Sequence, residues 1–173
     1  MRPKLHSHLV DTSESAIYTV GVTYTYMEIH HMAIAAEVKH QINRSHTRCF
    51  ACGAENEVGI GLSFTSCGNY QVIGECTIDE RYQGYPGVVQ GGIVSTILDS
   101  AMTNCLFNQG IEAMTVRLNV QFREPVLTGE NMVIEATLTA QRGRVYNLKA
   151  NITQCGKLRA SAAGRFMVRD NAL

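Results

Sequence analysis

The chain has no tryptophan, only three prolines, and few charges: Asp, Glu, Lys and Arg make up 17% of its 173 residues. Fifteen basic residues balance fifteen acidic ones. Such a balance gives no electrostatic case for binding nucleic acid or an anionic membrane. A charged fraction below the usual ~25% suggests that much of the surface is buried in an oligomer. No apolar run is long enough to span a bilayer. Ala16 to Met27 is uncharged, but it is rich in Thr and Tyr and lacks a small-residue cleavage site, so it does not read as a signal peptide. A cytoplasmic location is the resulting expectation. Histidine is missing from most of the chain: His6, His8, His30, His31, His40 and His46 all precede Cys49. A Ser-His-Asp triad therefore has no support. Gly59-Ile60-Gly61 begins like a dinucleotide fingerprint, but Phe64 replaces the third glycine and no helix follows. No cofactor is expected.

What is present fits one domain with a sizeable core. The six cysteines are Cys49, Cys52, Cys67, Cys76, Cys105 and Cys155. They read as reduced, largely packing residues rather than a disulfide framework. Cys49-x-x-Cys52 is read first as packing, with metal or redox chemistry as the alternatives. Zinc would need two more ligands, and only Cys67 and His46 are near in sequence, at the wrong spacing for a zinc ribbon. No βαβ setting follows for a thioredoxin-type role. The expectation is no metal.

The chain is organised around Val88 to Met102. Gly84-Tyr85-Pro86-Gly87 forms a turn. Gly91-Gly92 then opens a long helix, uninterrupted from Ile93 to Gln109, with Gly110 as its stop. At about 100° per residue, Val94, Ile97, Leu98, Ala101, Met102 and Cys105 share one arc, and Ser95, Thr96, Asp99, Ser100 and Thr103 another. Asp99 is the one charged residue between Gln90 and Gln109. A lone carboxylate is costly to bury unpartnered, and the polar arc carries no Lys, Arg or Glu, which is unusual for a solvated surface. The bare N–H groups of Gly91 and Gly92 suit an anion or a carbonyl.

Elsewhere the pattern is mostly β. Residues 1 to about 31 have no clear period. Ile17–Val20 and Val22–Tyr24 could make a strand with nothing to frame it, so disorder or loose docking is expected there. Met32 to Arg44 reads as a short helix. Strands are expected over Gly61–Ser66 and Tyr70–Ile78, with a hairpin turn at Cys67–Asn69, and Asp79–Val89 reads as a loop. After the helix come Ala113–Phe122, Asn131–Gln141, Arg144–Cys155 and Lys157–Arg169. In the first of these, Met114, Val116, Leu118, Val120 and Phe122 alternate with Thr115, Arg117, Asn119 and Gln121. In the last, Ala160, Ala162 and Gly164 are small enough to let a helix lie close. The fold class expected is α+β, an antiparallel sheet wrapped round one long central helix.

That order, with Gly91-Gly92-Ile93-x5-Asp99, resembles the hot-dog-fold acyl-CoA thioesterases of the PaaI-like branch. The resemblance runs from about Cys49 to Val168. It rests on Cys49-Phe50-x-Cys52-Gly53, Gly59-x-Gly61-Leu62-x-Phe64, Gln83-Gly84-x-Pro86-Gly87-Val88-Val89-Gln90-Gly91-Gly92, and Asn119-x-x-Phe122-x-x-Pro125-Val126-x-x-Gly129-Glu130. It implies an N-terminal extension over 1–45 and a hot-dog domain over 46–170. Two departures stand out. Gln90 replaces the family's usual His, and Gly84 stands where some members carry Asn, a role then left to Gln83 or Gln90.

Thioester hydrolysis needs an activated water or nucleophile and donors for the developing oxyanion. Asp99 suits the first, and the N–H of Gly91 or Gly92 the second. These positions lie about 12 Å apart along one helix, too far to serve one carbonyl. The site should therefore join Gly91 of one subunit to Asp99 of another, in a homodimer or a homotetramer built as a dimer of dimers. The resemblance implies the same arrangement. It also implies that Thr115 helps hold the water and that an acyl-CoA is the substrate. Ser95, one turn from Asp99, could bond it. Arg142, Arg144, Lys157 and Arg159 are candidates for the phosphates of CoA. A hot-dog dehydratase would want a His near the helix. A non-catalytic acyl-CoA-binding or sensor domain is the other reading, kept open by Gln90 and Gly84.

Overall fold

The computed structural model describes residues 17–19, 22–24, 46–68 and 70–168. The helix expected over Met32–Arg44 lies outside them. Two compact units divide between Glu37 and Val38. In the first, β1 (Ile17–Thr19) and β2 (Val22–Tyr24) pair antiparallel. These are the two β-branched and aromatic runs noted above.

The first described residues of the second unit have no regular structure. Residues 46–59 form a series of turns and 60–64 have no regular structure; Leu62 N–H donates to the Ala51 carbonyl (2.9 Å) rather than to a sheet partner. For that reason the strand expected from Gly61 starts only at Thr65: β3 is Thr65–Gly68 and β4 is Gln71–Thr77. The expected loop 79–89 contains a 3-10 turn (Glu80–Tyr82) and a small hairpin of β5 (Gln83–Tyr85) and β6 (Val88–Val89). Then come α1 (Gly91–Phe107), β7 (Ala113–Phe122), β8 (Asn131–Arg142), β9 (Val145–Gln154) and β10 (Lys157–Val168). Gly110, at φ +70°, ends the helical path, as its freedom from a Cβ allows.

Six strands form one antiparallel sheet in the order β3-β4-β8-β9-β10-β7. Helix α1 lies against it and buries Val94, Ile97, Leu98, Ala101, Met102 and Cys105, the arc expected from the sequence. Facing them are Val72, Ile134, Leu148, Ile152, Ala160 and Phe166, all nearly inaccessible. The small-residue stripe of β10 has the expected use: a Cβ on Gly164 would stand 2.9 Å from Met102 Sδ. Among the described residues β7 pairs only with β10, which leaves it an open edge.

The face assignment of β7 needs correction. Register runs Gly164↔Leu118 and Arg165↔Arg117, then skips to Phe166↔Thr115, so Val116 is the extra residue of a β-bulge. The bulge reverses the alternation beyond it. Leu118 and Val120 face the core as expected, but past the bulge Ala113 is buried and Met114 is 60% exposed. Thr115 is thereby turned to the helix side.

Candidate active site

The helix entrance is built by Gln90, the N-cap residue. Its Oε1 accepts from Ile93 N–H and its carbonyl from Val94 N–H, both at 3.1 Å. The two remaining first-turn donors, Gly91 and Gly92 N–H, are exposed and have no acceptor among the described residues. They sit at the positive end of a helix of 17 residues, the natural place for a negative oxygen. The glycines have different reasons. A Cβ on Gly92 would stand 2.7 Å from Gln90 Oε1, so the cap folds over a position with no side chain. A Cβ on Gly91 would make ordinary contact with Phe122, at 3.6 Å. Gln90→Ala should remove the cap and cost about 1 kcal/mol, read as a lower urea midpoint with an unchanged m-value.

The loop before the helix is held just as locally. Gln83 Oε1 accepts from Gly87 N–H at 3.1 Å, closing the β5–β6 turn. Gly84 approaches Gln90 closely enough that a Cβ would stand 3.4 Å from the Gln90 Cα. A residue missed in the sequence, Gln154, supports this end from below. It is buried; its amide accepts from Leu127 N–H (2.9 Å) and donates to the carbonyls of Leu127 (2.9 Å) and Glu130 (3.2 Å). That pins the loop whose Val126 carbonyl receives Val89 N–H (2.8 Å), next to the helix start. The signal was available: carrying the inward series Tyr146, Leu148, Ala150, Ile152 one step further places Gln154 in the core.

Asp99 is half-buried on the helix two turns beyond Gly91, and the Thr115 hydroxyl donates to its Oδ1 at 2.7 Å. The bulge at Val116 makes this possible. Burial raises the carboxyl above its ordinary pKa, and the Thr115 bond pulls it partly back. Oδ2 accepts no hydrogen bond among the described residues, so one oxygen is anchored and the other is available. Ser95 does not join them. Its hydroxyl donates to the Gly91 carbonyl (2.9 Å), because a helical serine reaches the carbonyl four residues back more readily than a neighbour one turn on.

The four basic residues do not converge. Arg142 and Arg144 are exposed at the β8–β9 turn, and Arg144 Nη2 donates to the Val168 carbonyl (2.7 Å), at the sheet end where β7 begins. Lys157 and Arg159 lie at the other end of β10. Arg159 is held in an ion pair with Glu124 (2.7 Å), and its side chain is only 13% exposed, which removes it from the phosphate candidates.

With this geometry in place, comparison with known proteins shows what the chain is similar to. Residues 86–157 match the model of the thioesterase superfamily. The Escherichia coli PaaI protein from the phenylacetic acid degradation operon superposes with a TM-score of 0.63 at 16% identity, over 80% of this chain and 98% of that one. The second unit has the hot-dog fold, and its residues 86–157 are similar to the thioesterase superfamily. The hot-dog domain is also similar to smu.793 of Streptococcus mutans UA159, a structure bound to acetyl CoA (TM-score 0.59, 16% identity, 62% of this chain and 88% of that one). Bovine acyl-coenzyme A thioesterase THEM4 is 33% identical over 90 residues, which are 51% of this chain. The match spans 37% of the bovine protein's length. No helix among the described residues is long and apolar enough to cross a membrane.

Proposed function

We propose that the hot-dog domain hydrolyses acyl-CoA thioesters, with Asp99 as base or nucleophile and the Gly91 N–H of a second copy as oxyanion donor. The observation that carries this reading is the Thr115–Asp99 bond, which fixes a lone, half-buried carboxylate with one oxygen free. As a base, Asp99 takes a proton from water while the water oxygen attacks the thioester carbon. The negative oxygen that forms is held by backbone N–H at a helix N-terminus. The C–S bond then breaks, and the thiolate of CoA recovers the proton from Asp99. As a nucleophile, the free oxygen attacks the carbon itself, CoA leaves, and water cleaves the resulting anhydride. Either route yields CoA and a carboxylic acid. Thr115 is the positioning residue, and Gly92 shares the donor turn. Gln83 and Gln90 offer their amide N–H groups to the substrate at the entrance, and Arg142 and Arg144 lie at the sheet end by Thr115, where the phosphates of CoA would dock.

The second copy is part of the proposal. Among the described residues, Met114, Val116 and Phe122 are more than half exposed on or beside the open edge of β7. On the helix, the hydroxyls of Ser95, Thr96 and Thr103 each donate to a helix carbonyl at 2.9 Å. Asp99 apart, that leaves a neutral face which costs little to remove from water. Both surfaces favour a two-fold homodimer, with a dimer of dimers as the larger form. A cavity of about 650 Å³ lies across the sheet, lined by Gln71, Asn119, Glu135, Lys149 and Asn151 among others. None of the candidate catalytic residues lines it. We read the reactive groove instead as completed by the partner. The cysteines are all free, which suits a reducing cytoplasm.

The test is the pH profile of thiol release in wild type and Thr115→Val. The reactive form of Asp99 is ionised, so kcat/KM falls as pH drops through its raised pKa. Loss of the Thr115 bond removes the influence that lowers that pKa. The acidic limb should therefore move to higher pH. An unchanged limb would remove Asp99 from the base's role.

A further inference from the structure

The sequence spacing argued against a metal, yet the fold gathers His46, Cys49 and Cys52 with their ligand atoms all within 4.8 Å of one another. Cys52 Sγ and His46 Nδ1 are 3.6 Å apart. That matches the ~3.6 Å edge of a tetrahedron drawn with Zn–S of about 2.3 Å and Zn–N of about 2.05 Å. All three come from one tight loop. Cys49 N–H donates to the His46 carbonyl (3.1 Å), and Gly53 N–H donates to that of Cys49 (2.9 Å). A Cβ at Gly53 would overlap Cys49 N and the Thr47 carbonyl, so the turn that brings the thiols together requires glycine.

We propose that His46, Cys49 and Cys52 bind one zinc ion per chain, with the fourth position taken by water or an added ligand. Two thiolates and an imidazole are a borderline-soft set suited to zinc. An outer partner is in place: Asn104 Nδ2, on α1, points at Cys52 Sγ at 3.5 Å. The His46 ring meets Phe107 of the same helix edge-on, centroids 4.9 Å apart. The site thereby ties a loop that has no strand or helix of its own to the second half of α1. None of the hydrolytic steps above uses it.

The test is metal content and cobalt(II) titration of the full, reduced chain. One zinc per chain is expected on purification with zinc. Replacement by cobalt should give a thiolate-to-cobalt charge-transfer band with the visible bands of a four-coordinate ion. His46→Ala and Cys52→Ser should abolish stoichiometric binding. Asn104→Ala should weaken it by about 10- to 100-fold, and Cys67→Ser, exposed and outside the cluster, should leave it unchanged. The wild-type titration alone is decisive if a variant fails to fold. A wild-type protein that takes up neither ion would overturn the site and leave a plain thiol–imidazole hydrogen bond. A charge-transfer band that survives His46→Ala unaltered would overturn it equally.

Discussion

Asp99→Asn should lower kcat for acyl-CoA hydrolysis by about 100- to 10,000-fold, the range for losing a positioned base, without unfolding the protein. The stability side follows from the pKa direction. Burial raises the folded-state pKa of Asp99 above its unfolded value. Below the unfolded pKa the group is neutral in both states and costs nothing. As pH rises through the folded pKa, the penalty of a half-buried carboxylate appears in full. Asparagine carries no such charge, and its Oδ1 can still accept from the Thr115 hydroxyl. At neutral pH the variant should melt at or above the wild-type temperature, which calorimetry would show. A strongly destabilised Asp99→Asn would mean that the carboxylate is there for the fold.

Gly91→Pro should be nearly as damaging to activity, for a reason confined to one hydrogen atom. Position 91 is the first helical residue, where proline is well tolerated and its missing N–H costs the helix nothing. Gln90, which precedes it, has φ −62° and ψ 136°, the extended conformation that a following proline demands. The substitution thus deletes the proposed oxyanion donor and leaves the entrance in place. Loss of one such donor costs about 100- to 1,000-fold in kcat. Because the site is proposed to combine two chains, the two inactive variants should rescue each other. Co-refolded Asp99→Asn and Gly91→Pro chains form mixed dimers in which one of the two sites keeps both native groups. Random pairing should then restore roughly a quarter of wild-type activity. No recovery, with mixed dimers demonstrated, would place both groups in one chain's site or remove Gly91 from it.

Much of this was legible in the residues because it is local and periodic. The apolar arc of α1, the positive-φ glycine that ends it and the small stripe on β10 all follow from helix and strand periods. The hot-dog architecture follows from their order. What was not legible arises from pairing across the chain. The bulge at Val116 comes from register against Phe166, so simple alternation turned Thr115 away from Asp99 although the resemblance had singled it out. Ser95 was a candidate to bond Asp99 because one turn of helix separates them; the Gly91 carbonyl, four residues back, takes its hydroxyl instead. Arg159 was a candidate for the phosphates of CoA until Glu124 came beside it. His46 was set aside on the spacing rules of two-pair zinc ribbons, but a single loop with a glycine-tight turn brings His46, Cys49 and Cys52 together without a second pair.

The measurement that bears most directly on the account is free-thiol release from short, medium, long and aryl acyl-CoAs, run with wild type and Asp99→Asn side by side and with acyl-CoA binding followed in parallel. The account predicts release by wild type alone, with binding retained by the variant. Tight binding by wild type without release from any substrate would contradict it. That result would make the domain an acyl-CoA-binding protein, and Gln90→His the first change to make.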